Sequence, residues 1–235
     1  MGNKGKTLIL TSGTAVFGVF NGGDATDVVY REDTELPLAE SVFAPASAQV
    51  HPLVVEGLGG SMAARVETEK LVLAAPGVRG IVVRPGLVYG YGGSYDLPAL
   101  VKLARDNARG AHWGAGATVQ GYVHLDDLAE LFCLAVENAP PGTVVHGVSG
   151  EVSQRELAAA AGRMIGAGDR TDSFTMDRMF GPDDARVATG ISLCLNKRLS
   201  SERTRKLLGW SPTRHDILED LEFGSYASDP TVHTE

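Results

Sequence analysis

No G-x-G-x-x-G sequence occurs anywhere in this 235-residue chain. The nearest approaches are Gly57-Leu58-Gly59-Gly60, Gly90-Tyr91-Gly92-Gly93 and Gly114-Ala115-Gly116, and each lacks the last glycine at the required spacing. That loop lets backbone N–H groups approach a pyrophosphate at a helix N-terminus, so without it the usual sequence warrant for a dinucleotide is missing. Cysteine is scarce too. Cys133 and Cys194 are too few for a disulfide framework or a zinc site. The six histidines form no H-x-H or H-x-x-x-H pair, which argues against a catalytic metal. Positive charge is in deficit, with 21 Lys and Arg against 29 Asp and Glu; a net charge of -8 argues against a nucleic-acid partner. No stretch approaches the ~20 apolar residues of a membrane span, so no membrane partner is expected. Residues 1–6 carry charges with no apolar run behind them, and Lys6 stands where a myristoylation start wants Ser or Thr. The expected location is cytoplasmic.

What remains is an ordinary folded composition, 43% hydrophobic and 21% charged. Leu8-Ile9-Leu10, running into Thr11-Ser12-Gly13, reads as a buried strand meeting a turn. Residues 18–58, rich in Gly, Asp, Pro and Ala, read as a long loop. Ser61 to Ala75 is expected to be a helix, with Arg65 and Glu69 as an i,i+4 pair. Residues 80–85 form a β-branched strand, and a helix follows from Asp96, its expected N-cap, to Arg109 before Gly110. Further helices are expected over residues 126–137, from the capping box Ser153-Gln154-Arg155-Glu156 to about Ile165, over 201–208 and over 216–223. A strand is expected at 143–148, and Trp210 is expected to anchor a helix end in the core. Strands alternating with helices indicate an α/β fold with parallel strands.

Four segments, in order, carry a resemblance. They are Ile9 to Gly18, Val83-Arg84-Pro85-Gly86-Leu87-Val88-Tyr89-Gly90, Gly121-Tyr122-Val123-His124-Leu125-Asp126-Asp127-Leu128-Ala129, and Leu199 to Pro212. They resemble the "SSxxVYG", "RPxxVYG", "DYVHVDDLA" and "S.KARELGWxP" segments of the extended short-chain dehydrogenase/reductase superfamily, in its NAD-dependent epimerase/dehydratase branch. The resemblance begins at what would be the family's fifth strand. It implies a partial Rossmann-like parallel sheet, the last three of the family's seven strands, in residues 1–150, with a small helical substrate-side lobe in 151–235. It also implies NAD or NADP as cofactor.

The family's Y-x-x-x-K dyad does not carry over. Its Lys position falls on Arg65 and its Tyr position on Ser61, and none of the six tyrosines has Lys four residues on. A serine hydroxyl is too weak an acid to replace a tyrosine whose pKa an adjacent ammonium lowers. Arg65 holds its charge and exchanges no proton near neutral pH. By resemblance, the cofactor-side residues are Thr11, Ser12, Arg65 and Pro85, and the substrate-side residues are Thr14, Tyr89 and Gln120. Tyr122 and His124 share one face of an alternating segment and are the remaining candidates for proton transfer. A structural role for His124, capping the helix that follows, stands beside that one. The expectation is a degenerate NAD(P)-dependent epimerase/dehydratase-like protein, oxidoreductase or isomerase, acting on or binding a small, sugar-nucleotide-like molecule. The alternative is a non-catalytic binding or regulatory subunit. The apolar first strand would leave an open sheet edge, so self-association or a partner subunit is expected there.

Overall fold

A computed structural model describes residues 5–36, 52–94, 96–174 and 193–227. In chain order the elements begin with β1 (Lys6–Thr11), a 3-10 turn (Thr14–Phe17), α1 (Pro52–Leu73), β2 (Val78–Pro85), β3 (Leu87–Tyr89) and α2 (Leu97–Asn107). They continue with β4 (Gly110–Trp113), β5 (Val119–His124), α3 (Leu125–Asn138), β6 (Thr143–Gly147), β7 (Gly150–Ser153) and α4 (Gln154–Met164). β8 (Thr171–Phe174), α5 (Glu202–Leu208) and α6 (Ile217–Phe223) complete the described chain. The fold is α/β, as the alternation of elements requires.

β1, β2 and β6 form a parallel three-stranded sheet in that order, with Ile9 beside Ile81 and Val83 beside Val145. This is the partial sheet expected from the sequence. β2 is central and buried from Gly80 to Pro85, which explains its unbroken β-branched run. β1 alternates between exposed and half-buried residues at the sheet edge, and Leu8 is 45% exposed. A second sheet has the order β3-β5-β7, with β5 and β7 antiparallel, and β4 pairs with β8.

The start of one helix and several short strands differ from expectation. α1 begins at Pro52, nine residues before the expected start, so residues 52–58 are helical rather than loop. Proline is tolerated in a first helical turn, where its missing N–H would have no partner. Of the rest of the expected loop, residues 18–36 form no helix or strand, and residues 37–51 lie outside the described residues. The short strands β3, β4, β7 and β8 are also not among the expected elements; each has only three or four residues, too few for periodicity to reveal. The capping box at Ser153 and Glu156 forms, with both reciprocal hydrogen bonds present.

The first sheet is locked to α1 by a buried ion pair. Arg84 on β2 donates to both carboxylate oxygens of Glu69, and the closest contact is Arg84 Nη2 to Glu69 Oε2 at 2.6 Å. The two side chains are 4% and 1% exposed. The expected Arg65–Glu69 pair is therefore corrected. Glu69 turns toward the sheet, where a buried guanidinium offers a planar fork matched to a carboxylate. His146 continues the network, with Nδ1 3.0 Å from Ser200 O and Nε2 3.4 Å from Arg84 Nη1. An Nδ1–H donating to the carbonyl leaves Nε2 to accept from the guanidinium, so the neutral ring fits both contacts.

Burial pushes the His146 pKa down to about 4, reinforced by Arg84 and opposed by Glu32, Glu69 and the hydrogen bond to Ser200. Between the ordinary value of 6.5 and about 4, the unfolded chain binds a proton there that the fold refuses. Unfolding free energy therefore falls as pH drops through this window, by up to a few kcal/mol from this one group. Urea unfolding at about pH 7 and about pH 5 should show a steeper loss for the native chain than for His146→Gln. Equal losses would remove His146 as the cause.

Candidate functional site

The site is built where β1 and β2 end. Parallel α/β sheets bind ligands beyond the carboxyl ends of their strands, because the chain turns away there and leaves a crevice. Here the turn after β1 (Ser12, Gly13, Thr14) and the turn after β2 (Pro85, Gly86) face one cavity of about 330 Å³. Ser12 is anchored by its backbone N–H to Val83 O at 2.8 Å. Its hydroxyl is buried without a hydrogen-bond partner among the described residues. Gly86 is needed for close approach: a Cβ there would lie 2.4 Å from Gly121 O on β5. The two sheets thus meet backbone to backbone at the cavity wall.

The sequence-derived candidates separate into groups. Ser12, Thr14 and Pro85 line this cavity together. Thr11, the last residue of β1, is exposed beside it. Arg65, half-buried on α1, reaches the same turn, since a Cβ on Gly13 would lie 3.5 Å from its Nη1. Gln120 lies wholly inside, its Nε2 donating to Leu193 O at 2.7 Å and its Oε1 without a partner among the described residues.

Tyr89 and His124 instead line a cleft of about 470 Å³, bounded across the gap by Arg214, Asp216 and Asp220. Tyr89 and Tyr122 pack edge to face, with centroids 5.7 Å apart. Burial, with smaller contributions from neighbouring charges, pushes both phenols above their ordinary pKa. The Tyr122 hydroxyl donates to His215 O at 2.5 Å, which ties β5 to the segment before α6. His124 caps α3: its Nδ1 accepts from Asp126 N–H at 3.1 Å. That contact leaves Nε2 as the protonated nitrogen of the neutral ring, turned toward Gly90.

The Gly90–Gly92 turn is a tethered element rather than a bare surface turn. Gly90 has φ 113°, and a Cβ there would lie 2.5 Å from His124 Nε2, so only glycine suits both conformation and space. Its N–H donates to the Tyr226 hydroxyl, Gly92 N–H donates to Ser225 Oγ, and the Tyr91 hydroxyl donates to Asp126.

Two site residues were missed by the sequence reading, Asp96 and Lys197, both buried and both lining the first cavity. Asp96 was taken as a helix cap. The signal that could have found Lys197 is a lysine set between apolar residues in a segment that otherwise reads as core, Leu193-Cys194-Leu195 before it and Leu199 after it.

The residues around the first cavity fit the nicotinamide end of a dinucleotide. The cavity is at the small end of ligand pockets, Ser12 offers an unused hydroxyl, and Arg65 stands near with a fixed charge. A glycine-rich cradle for the pyrophosphate is absent from the sequence. Among the described residues no cluster of three or more His, Cys, Asp or Glu could hold a metal ion, and no helix is long and apolar enough to cross a membrane.

Comparison with known proteins places this geometry. The sequence model of the NAD dependent epimerase/dehydratase family matches residues 62–147, a range containing the Val83–Gly90 and Gly121–Ala129 segments. An uncharacterized protein of Saccharomyces cerevisiae is 31% identical over 164 residues, covering 67% of this chain and 52% of its own length. The chain spans about half the length of the curated relatives it matches. A dTDP-glucose 4,6-dehydratase from Streptomyces venezuelae, solved with NAD bound, superposes with TM-score 0.59 at 18% identity, covering 93% of this chain and 58% of the dehydratase. RMD from Pseudomonas aeruginosa, complexed with NADPH, superposes with TM-score 0.61 at 16% identity, covering 94% of this chain and 65% of that one. At these identities the structures share the fold.

Proposed function

We propose, for a chain that is NAD dependent epimerase/dehydratase-like over residues 62–147 and shares its fold with nicotinamide-binding enzymes, that it binds the nicotinamide end of NAD or NADP in the cavity formed by Ser12, Thr14 and Pro85. Its substrate is a small, sugar-nucleotide-like molecule on the Tyr89 and His124 side. The observation that carries this reading is the buried Ser12 hydroxyl, without a partner among the described residues, just past β1 in the lining of that cavity. When bound, the nicotinamide ring accepts or returns a hydride. The chain's own part is to orient the ring through Ser12 and the Pro85-Gly86 turn, and to hold charge near it through Arg65. With Ser61 and Arg65 at the dyad positions, the chemistry differs from that of a tyrosine–lysine pair. His124, with a protonated Nε2, and Tyr122 are the proton-handling candidates; His124→Ala and Tyr122→Phe should each abolish turnover. Unchanged rates in both variants would remove that assignment.

Calorimetric titration with NAD+, NADH, NADP+ and NADPH tests the cofactor reading. Micromolar binding of at least one, weakened about tenfold or more by Ser12→Val through a lost hydrogen bond and a filled cavity, is the expected result. No heat with any of the four overturns it.

A second reading has its own support: the Ser61 and Arg65 substitutions together with the half-exposed β1 edge. In this reading the chain is a non-catalytic subunit whose β1 edge pairs with a second copy or another protein. A sedimenting monomer at micromolar concentration would count against it.

A further inference from the structure

The first cavity has a second polar wall that hydride chemistry leaves unused. Asp96 occupies the N-cap position of α2, yet its side chain makes no capping bond. Ser94 does that work, its hydroxyl accepting from Asp96 N–H at 3.3 Å and from Leu97 N–H at 3.4 Å. The Asp96 carboxyl is left 9% exposed, with Oδ1 lacking a hydrogen-bond partner among the described residues. Lys197 is 4% exposed, and its backbone is clamped to β5 on both sides: its N–H donates to Val119 O at 2.9 Å, and its carbonyl accepts from Gly121 N–H at 3.0 Å. Ser12, 7% exposed, supplies the third polar group, again with an unpartnered oxygen. All three residues line the same cavity of about 330 Å³.

Two buried oxygens left without partners in one cavity are costly unless a ligand completes them, and such groups persist where function needs them. Their chemical types complement one another: an amine, a carboxyl and a hydroxyl. Burial works against the ammonium form of Lys197, with Asp96 and Cys194 opposing it, and the net direction is downward. Burial likewise pushes the Asp96 carboxyl up, with Lys197 pulling it back. Both shifts run toward the uncharged forms, amine and carboxylic acid, the forms that act as nucleophile and general acid.

We propose that Ser12, Asp96 and Lys197 form a site for a small, uncharged aldehyde or ketone, with the Lys197 amine as nucleophile. Nζ attacks the carbonyl carbon; a C–N bond forms as the C=O π pair moves onto oxygen, which takes the Asp96 carboxyl proton. The nitrogen then returns a proton to the Asp96 carboxylate. A second pass delivers the remaining amine proton to the hydroxyl, which leaves as water as the C=N bond forms. Both amine hydrogens end in that water, so no oxidant or reductant is needed. Ser12 steadies the carbonyl oxygen by a hydrogen bond. The cavity of about 330 Å³ admits a small carbonyl compound.

The test uses the full chain, glycolaldehyde as probe and sodium cyanoborohydride to fix any imine, at neutral pH, followed by peptide mass mapping. Lys197 should be modified at least about tenfold faster than the exposed Lys70 and Lys102, each held in a surface ion pair. Lys197→Arg removes the nucleophilic amine at similar volume and should lose the fast adduct, and Asp96→Asn should slow it several-fold at Lys197 itself. Circular dichroism confirms that each variant is folded; if Lys197→Arg is not, Asp96→Asn and Ser12→Ala carry the comparison. Modification confined to exposed lysines, or an unchanged Lys197 rate in Asp96→Asn, overturns the proposal. Cofactor titration is read separately, so a chain that forms the adduct but binds no nicotinamide loses only the preceding reading.

Discussion

Arg84→Ala should lower the unfolding free energy by about 3–5 kcal/mol, among the largest effects of any single substitution in the described fold. The guanidinium is 4% exposed and its partner Glu69 1%, so removing it strands a carboxylate where water cannot replace the lost donors. Arg84 also lies over the Phe17 ring, 4.9 Å from its centroid, and contacts His146, so three neighbours lose a partner together. The double variant Arg84→Met, Glu69→Leu should recover most of the loss, because an apolar pair of similar volume carries no desolvation penalty. Urea unfolding of the three proteins decides it. A loss below about 1 kcal/mol in Arg84→Ala would put the pair in the range of solvent-screened surface bridges and sink the argument.

Trp210→Ala is expected to cost about 3–5 kcal/mol, the range for deleting a buried large aromatic and leaving a cavity. Trp210 is 2% exposed and packs in the core with Val123, Leu128 and Leu208. Its Nε1–H donates to Asp127 O at 2.8 Å, and the Asp127 carboxylate in turn accepts from the backbone N–H groups of Thr213 and Arg214. Trp210 therefore holds the start of α3 against the segment that walls the Tyr89–His124 cleft. Trp210→Phe keeps most of the ring and should cost less, about 1 kcal/mol for the hydrogen bond together with the lost ring volume. If phenylalanine proves as damaging as alanine, the hydrogen bond rather than the packing holds the corner.

Several parts of the fold were legible because their signals are local. The unbroken run Ile81-Val82-Val83 marks a strand covered on both faces, and residues 80–83 are buried in the central strand. Ser153 and Glu156 stand at capping-box spacing, and a capping box forms there. His124 as a cap on α3 was foreseeable, since it immediately precedes Leu125-Asp126-Asp127. Glu69 was misread for the opposite reason. Arg65 stands four residues before it in sequence, but its true partner is fifteen residues away on another element. Asp96 misled in the same way: an aspartate before a helical run looks like a cap, and nothing in its neighbours reveals that Ser94 takes that role.

The sequence alone determined the α/β class, the three strands of the parallel sheet, most of the helices, the lack of a G-x-G-x-x-G sequence in these residues and the lack of a tyrosine–lysine pair at Y-x-x-x-K spacing. Each is a matter of residue type, spacing or periodicity within one segment. Only the tertiary structure decided that Ser12, Asp96 and Lys197 share a cavity, that Arg84 claims Glu69, and that the Tyr122 hydroxyl serves His215 O. Those pairings join residues from fifteen to nearly two hundred positions apart. Their partners are chosen by burial, where an ionic or polar group must find its complement in space because water is excluded, and sequence proximity carries no information about that choice.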